Sequence, residues 1–407
     1  MSSFGFDGSQ PPNGLICSMT NGPLVRRHCG GGSRVRGRSD MRYRRAIMAT
    51  LVPLLLATQA CGRDDPHEPT VYTPPAVPAP PAASLVVAPN GDDEAAGTAA
   101  APLRTIDAAS ERAQPGMTIL VRTGTYQGDV RTQASGTADK RIVWVAESPD
   151  TRIVGAGDNV GAWENDGDYV DIVGFDISGE NADGLWSKGS HVRLMQNRVH
   201  DIPGNCIYTA NDDYSLTDID VLGNVAYKCG EDDLDHAIYI SHQRGVVANN
   251  IAYDSTGFGI QCWHACDEVT ITNNLVFHNA QGGIVIGGAN DDNRPVDNSL
   301  VANNLVVGNG RDGIREGGDS GPNNRFENNL LWNNERDRIL VSTGRESDTV
   351  VADPEFVDYQ EDGSGDYHLQ PGSPAVDAGT SELAPPIAID LTPRPQGRGF
   401  DIGPYER

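Results

Sequence analysis

Apolar and polar positions in the central part of this 407-residue chain recur in step with an asparagine. Aligning "MQNRVHDIPGNCIYTA", "VLGNVAYKCGEDDLDHAIYIS", "ANNIAYDSTGFGIQCW", "TNNLVFHNAQGGIVIG", "ANNLVVGNGRDGIREG" and "ENNLLWNNERDRILVS" anchors the copies at Asn197, Asn224, Asn250, Asn274, Asn304 and Asn329. The steps between anchors are 27, 26, 24, 30 and 25 residues. Ile207, Ile260, Ile284, Ile314 and Ile339 each follow ten positions after their anchor, whereas Ile238 follows after fourteen. Each copy carries three short runs of alternating apolar and polar residues, the period of a strand with one buried face.

Three strands in about 25 residues predict an all-β solenoid, a single-stranded parallel β-helix of about 9–11 coils over residues 84–360. One coil cannot bury its own apolar face, so stability has to come from stacking. Gly and Asn suit the sharp corners between strands. The second Asn of each pair is expected to stack along the helix, its amide bonding the next Asn and the turn backbone.

Composition agrees with this reading. Aromatic residues are 6% and glycines number 47, which fits a turn-rich β architecture better than a helical bundle. The net charge is −25, and the first 60 residues hold eight Arg and two Asp, so the remainder stands at −31. That field excludes nucleic acid as a partner. An acidic glycan would need a bound cation or a local basic cluster to approach.

The N-terminus divides in two. Residues 1–40 are rich in Gly, Ser and Arg without an apolar period, so they are expected to be disordered, and Met41 offers an alternative start to Met1. Residues 41–60 place Arg42, Arg44 and Arg45 before a short apolar run, the plan of an export signal peptide. The ending Thr58-Gln59-Ala60-Cys61 resembles a bacterial lipobox, which implies lipidation of Cys61 and attachment through an N-terminal lipid anchor at the outer membrane or cell surface. Simple secretion is the alternative. Residues 61–83 carry that Cys and a Pro-rich tether. Export favours disulfides among Cys206, Cys229, Cys262 and Cys266, with Cys262–Cys266 and Cys206–Cys229 the more local pairing. A zinc site drawing on His236 and His264 is the other reading.

Both ends of the repeat resemble a known family. "PLRTIDAASERAQPGMTILVRTGTYQG" has helix-spaced Ile106, Ala109 and Ala113, then a strand and a Gly turn. It is similar to the N-terminal capping helix of secreted right-handed β-helix proteins of the pectate-lyase-like superfamily. Residues 361–407 belong to a tail resembling the closing segment of bacterial surface β-helix proteins. The resemblance implies a right-handed helix, and a substrate cleft along its first parallel sheet.

Strands beginning at Leu185, Ile207, Ile238, Ile260, Ile284 and Ile314 should form that sheet. Alternation then turns Trp186, Tyr208, Tyr239, Gln261, Val285 and Arg315 outward. Two residues on lie Lys188, Ala210, Ser241, Trp263, Gly287 and Gly317, with His242 and His264 at the turn. Trp186, Tyr208, Gln261 and Trp263 are candidates for stacking on sugar rings, or for packing under a long loop. Lys188 could act as base or charge neutraliser of a β-elimination, or pair with Asp183 or Glu180.

The late Ile238 reflects a four-residue insertion carrying Glu231, Asp232, Asp233 and Asp235. Three readings stand: a solvated acidic turn, direct carboxylate catalysis, or Ca²⁺ held by Asp232, Asp233 and Asp235, with Asp212 and Asp213 near. The resemblance implies calcium, since lyases on this scaffold use it to neutralise a uronate; the family-nine pectate lyase pattern DDxxD is one residue longer than Asp232-Asp233-Leu234-Asp235. His236, Tyr239 and His242 could serve as acid and base, and Arg315 as the cation. A second insertion, 287–299, is expected to wall the same edge. The polygalacturonase motif set is absent apart from a DD.

The expected protein is thus a monomeric, exported β-helix acting on uronic-acid polysaccharide as a lyase. The alternative is a non-catalytic adhesin binding glycan or protein. The lyase reading requires Lys188 and the acidic insertion to converge.

Overall fold

A computed structural model of the chain describes residues 83–289 and 296–407. The expected signal segment, Cys61 and most of the tether lie outside these residues, as do residues 290–295 of the second insertion. Three parallel sheets wind about one axis. The first has eleven strands, from Leu85–Val87 to Arg345–Ser347; the second has ten, from Gly124–Gln127 to Val350–Val351; the third has nine, from Val130–Thr132 to Arg336–Leu340. Each coil visits them in that order, giving about nine complete turns of a parallel β-helix.

The isoleucine register is the one the repeat demands. Leu185 pairs with Ile207, then Ile238, Ile260, Ile284, Ile314 and Ile339 in unbroken succession along the nine-stranded sheet. Every one of these side chains is buried, so a single aliphatic column fills one wall of the interior. At the N-terminal end the column gives way to Trp163, which meets Trp144 and Phe175 edge-on at ring centroid distances of 5.9 Å and 4.8 Å. A five-residue helix, Ile106–Ser110, is capped by Thr105, whose hydroxyl accepts the Ala108 N–H. Its Ile106 and Ala109 join the same core.

The anchoring asparagines form the expected ladder. Asn197, Asn224, Asn250, Asn274 and Asn304 each donate from Nδ2 to Oδ1 of the next, at 3.1, 3.1, 3.0, 2.9 and 2.9 Å, the last reaching Asn329. Each Oδ1 also accepts its neighbour's backbone N–H, and each Nδ2 reaches a carbonyl such as Leu194 O or Val247 O. All six are buried, and the ladder satisfies backbone groups that the corner would otherwise leave unpaired. A second ladder, Asn279–Asn309–Asn334, runs at the next corner.

The residue before each anchor lies in the left-handed region: Asn249, Asn273, Asn303 and Asn328 have φ of 56°, 54°, 56° and 51°. Asn tolerates that region better than most side chains, which explains the doubled "NN". These four amides point outward and fasten the C-terminal tail, donating to Ile387 O, Asp401 O, Thr380 O and Ala378 O. The tail lies along the ten-stranded sheet, where Phe356, Tyr367, Leu369 and Ile402 cover Tyr253, Phe277, Leu305 and Leu330. Within it Arg394 and Glu406 form a fully buried ion pair.

Disulfides join Cys206 to Cys229 and Cys262 to Cys266. All four thiols are consumed, so the zinc alternative has no thiolate to draw on.

Candidate functional site

The outward row of the nine-stranded sheet is continuous and longer than the repeat alone suggests. In register it reads Arg131, Glu164, Trp186, Tyr208, Tyr239, Gln261, Val285 and Arg315. Trp186 stacks on Tyr208 at 5.6 Å and 22°, and Tyr208 on Tyr239 at 5.0 Å and 27°. The indole is pinned by a 2.9 Å bond from Nε1 to Ala210 O. These three rings are partly exposed, a stacked ribbon fixed by strand spacing. Burial pushes the Tyr208 phenol up to about 12, so it keeps its proton at neutral pH.

Lys188 stands at the C-terminal end of the Trp186 strand. Its Nζ lies 3.8 Å from the Trp186 ring centroid, 2.7 Å from Glu164 Oε2 and 3.7 Å from Asp166 Oδ1. The expected partners Asp183 and Glu180 are replaced by these two, one coil earlier. Asp166 in turn accepts from Arg131 Nε at 2.8 Å. Arg131, Glu164, Trp186, Lys188 and Asn211 line an open pocket of about 520 Å³. Arg131, Glu164 and Asp166 escaped the repeat alignment because their coils precede Asn197 and carry no Asn anchor; strand alternation in "VRT" and "AWEN" was the available signal.

The two histidines take other places. His236 and His242 are buried, and burial depresses each to about 4, leaving them neutral. His242 Nδ1 bonds Thr209 Oγ1 at 2.9 Å beneath the turn, away from the row. His236 belongs to a corner ladder: Asp183 accepts from Asn205 N and Nδ2, Asn205 Oδ1 accepts His236 N–H, and His236 Nδ1 accepts Phe258 N–H. That bond places the imidazole proton on Nε2, which has no hydrogen-bond partner among the described residues. The ring meets Tyr239 edge-on at 5.3 Å. Burial also raises Asp183 to about 6, against the bonds from Asn205.

The acidic insertion folds as a self-contained turn. Asp235 Oδ2 accepts Glu231 and Asp232 N–H at 3.0 Å each, and Asp232 Oδ1 accepts Leu234 N–H at 2.8 Å. Asp232 and Asp235 therefore each spend an oxygen on their own turn, while Asp233 Oδ2 faces Gln281 Nε2 at 3.5 Å, and among the described residues no three His, Cys, Asp or Glu side chains converge as metal ligands. The donor set does not fit a calcium cage. Moreover, the turn precedes the Ile238–Ile240 strand, while Lys188 follows the Asp183–Ser187 strand two coils earlier. In a parallel sheet these are opposite edges. Lys188 and the acidic turn do not converge.

The rest of the row thins out chemically. Gln261 follows Tyr239; Val285 is buried; Arg315 is exposed but three strands beyond Tyr239. Arg315 is five strands from the Trp186 strand that carries Lys188, about 24 Å at about 4.8 Å per strand, outside the reach of one sugar unit held at Lys188. Trp263 lies over two glycines: a Cβ at Gly287 would come 2.6 Å from its ring, and one at Gly317 would touch it.

Comparison with known proteins places this geometry. Residues 85–346 match the family model described as the Pel9A-like right-handed beta helix region. The chain is 43% identical over 60 residues to the uncharacterized protein YwoF of Bacillus subtilis, covering 15% of this chain and 13% of that protein. It is 40% identical over 75 residues to pectate lyase PEL9 of Emericella nidulans, covering 18% of each. The matched stretches thus span under a fifth of either relative. The crystal structure of pectate lyase Pel9A superposes with a TM-score of 0.62 at 17% identity, covering 79% of this chain and 96% of that one, a likeness of fold. With the family model spanning most of the coils and the same helix found in the structure, the chain belongs to the Pel9A-like right-handed β-helix family.

Proposed function

We propose that this protein cleaves a uronic-acid polysaccharide by β-elimination at the Lys188 pocket. The observation that carries the reading is the coincidence of one amine, one guanidinium and a stacked aromatic ribbon along a single open face. Sugar rings lie against Trp186, Tyr208 and Tyr239. The Arg131 guanidinium meets the uronate carboxylate, making the neighbouring C–H more acidic. Lys188, once it has passed its proton to solvent, removes that C5 proton. Tyr208, which retains its proton, donates to the departing glycosidic oxygen. The C4–O bond breaks as the C4–C5 double bond forms.

Family membership and the pectate lyase names of two similar proteins support the substrate class. Export as a lipid-anchored or secreted protein would put the enzyme where such polymers are, and two disulfides suit an oxidising compartment.

The test is incubation of the purified protein with pectate, alginate and glycosaminoglycans, with and without EDTA, while following ultraviolet absorbance of an unsaturated product. Product formed by the native protein and lost in Lys188→Ala supports the reading. A second reading, glycan binding without cleavage, is favoured by the occupation of Lys188 by Glu164 and Asp166; binding of those polymers with no product would establish it.

A further inference from the structure

Three residues beyond Lys188 the chain turns from the nine-stranded to the eleven-stranded sheet, and a second pocket opens round that corner. It measures about 380 Å³ and is lined by Arg141, Tyr169, His191, Arg193, Asp218 and Asp220 among others. Its charges pair off unequally. Arg141 donates to Asp171 Oδ1 at 2.8 and 2.6 Å and to His191 O at 2.6 Å. Arg244 donates to Asp218 at 3.2 and 3.1 Å. Arg193 is different: its guanidinium makes no hydrogen bond among the described residues, and its nearest carboxylates, Asp171 and Asp220, stand 3.8 and 3.9 Å away.

A guanidinium offers five donors in a planar fork suited to a carboxylate. At 30% exposure the Arg193 side chain is half-sheltered in a pocket with that fork unused. Its acidic neighbours are engaged elsewhere: Asp171 by Arg141, and Asp220 by the Val246 N–H. Beside it Tyr169 and His191 stack at 4.3 Å and 11°, both at left-handed corner positions, φ 54° and 58°, that project their rings outward. A cation with open donors next to a flat aromatic pair is the combination that recognises an acidic sugar.

We infer that this corner pocket binds the carboxylate of a uronic-acid residue on Arg193, with the sugar ring flanked by the Tyr169–His191 pair. The ligand class follows from the pocket's own groups. Only the further step, that a chain or branch held here continues to the Lys188 pocket, rests on the proposed function above.

The experiment is titration of the full protein with sodium galacturonate and with trigalacturonate, read by calorimetry and by the Arg Nε–H resonances. Galactose serves as neutral control and inorganic sulfate as a plain anion. Saturable binding of the acidic sugars, weakened about tenfold or more in Arg193→Ala and several-fold in Arg193→Lys and in His191→Ala, is the expected result. Arg193→Lys keeps the charge and guards against a folding artefact. The inference is overturned if Arg193→Ala binds as native does, if sulfate binds as tightly as galacturonate, or if no acidic sugar saturates the native protein. Binding at Arg193 without cleavage of any polymer would instead sink only the Lys188 reading.

Discussion

The Lys188 ammonium sits 2.7 Å from Glu164 Oε2, with the carboxylate side chain 6% exposed and the amine 23%. The pair fixes the amine over Trp186 and fixes Glu164 beneath the row. Removing the amine should therefore act on chemistry more than on substrate affinity. Lys188→Ala is expected to lower turnover by about 100-fold or more, with KM changed much less. A loss confined to KM would show that Lys188 only binds.

Removing the other partner should act on the fold. Glu164→Ala leaves Lys188 half-buried with only the 3.7 Å contact to Asp166, and costs the Gly161 N–H its acceptor at Glu164 Oε1. Denaturant unfolding should register a loss of about 2–4 kcal/mol. A change below about 0.5 kcal/mol would mean that the pair is mostly solvated.

Tyr208 is the middle ring of the ribbon, 5.6 Å from Trp186 and 5.0 Å from Tyr239. Tyr208→Phe keeps the stack and removes the hydroxyl; Tyr208→Ala breaks the stack. If the proposed roles hold, the first variant binds polymer normally and turns over at least about tenfold more slowly, while the second loses affinity as well. Equal affinity in all three proteins would exclude the ribbon as a sugar platform.

Asn274 lies inside the ladder. Asn274→Ala strips acceptors from Asn250 N and Nδ2 and the donor from Val247 O, all buried. A loss of about 3–5 kcal/mol is expected in chemical denaturation, where a surface Asn→Ala change costs under about 0.5 kcal/mol.

Acid sensitivity has opposing sources. His236 and His242 fall from 6.5 to about 4 on folding. As pH drops through that window the unfolded chain takes up protons and the folded chain does not, so each histidine withdraws up to about 3 kcal/mol of stability. Asp183 works the other way: raised from 3.8 to about 6, it contributes stability below pH 3.8 that is lost as pH rises through 6. His242→Gln, which can still meet Thr209, should shrink the fall in denaturant midpoint between pH 6.5 and 4.5. An unaltered fall would show that His242 is protonated in the folded state.

The repeat made the coil count, the isoleucine column, the asparagine ladder and the outward row legible, because each depends on a fixed step between like residues. The disulfide pairing followed from proximity in the chain. What escaped were features of unequal coils. Arg131, Glu164 and Asp166 sit where the Asn anchor has not begun. The fates of His236 and His242 are decided at corners, where alternation stops predicting which way a side chain turns. The acidic turn invited a metal reading because composition alone cannot reveal that Asp232 and Asp235 accept the turn's own N–H groups.

The outward amides that fasten the tail give the doubled asparagine a further meaning. In the two coils the tail does not clasp, the same left-handed corner is filled by Gln196, φ 55°, and Gly223, φ 62°. At Asn249, Asn273, Asn303 and Asn328 each such amide donates to a tail carbonyl, and the last such corner holds Asp348, φ 55°. The spelling of the repeat thus switches from "QN" and "GN" to "NN" where the docked segment begins. A reader of the bare sequence could mark the footprint of the C-terminal tail on the helix from that one letter.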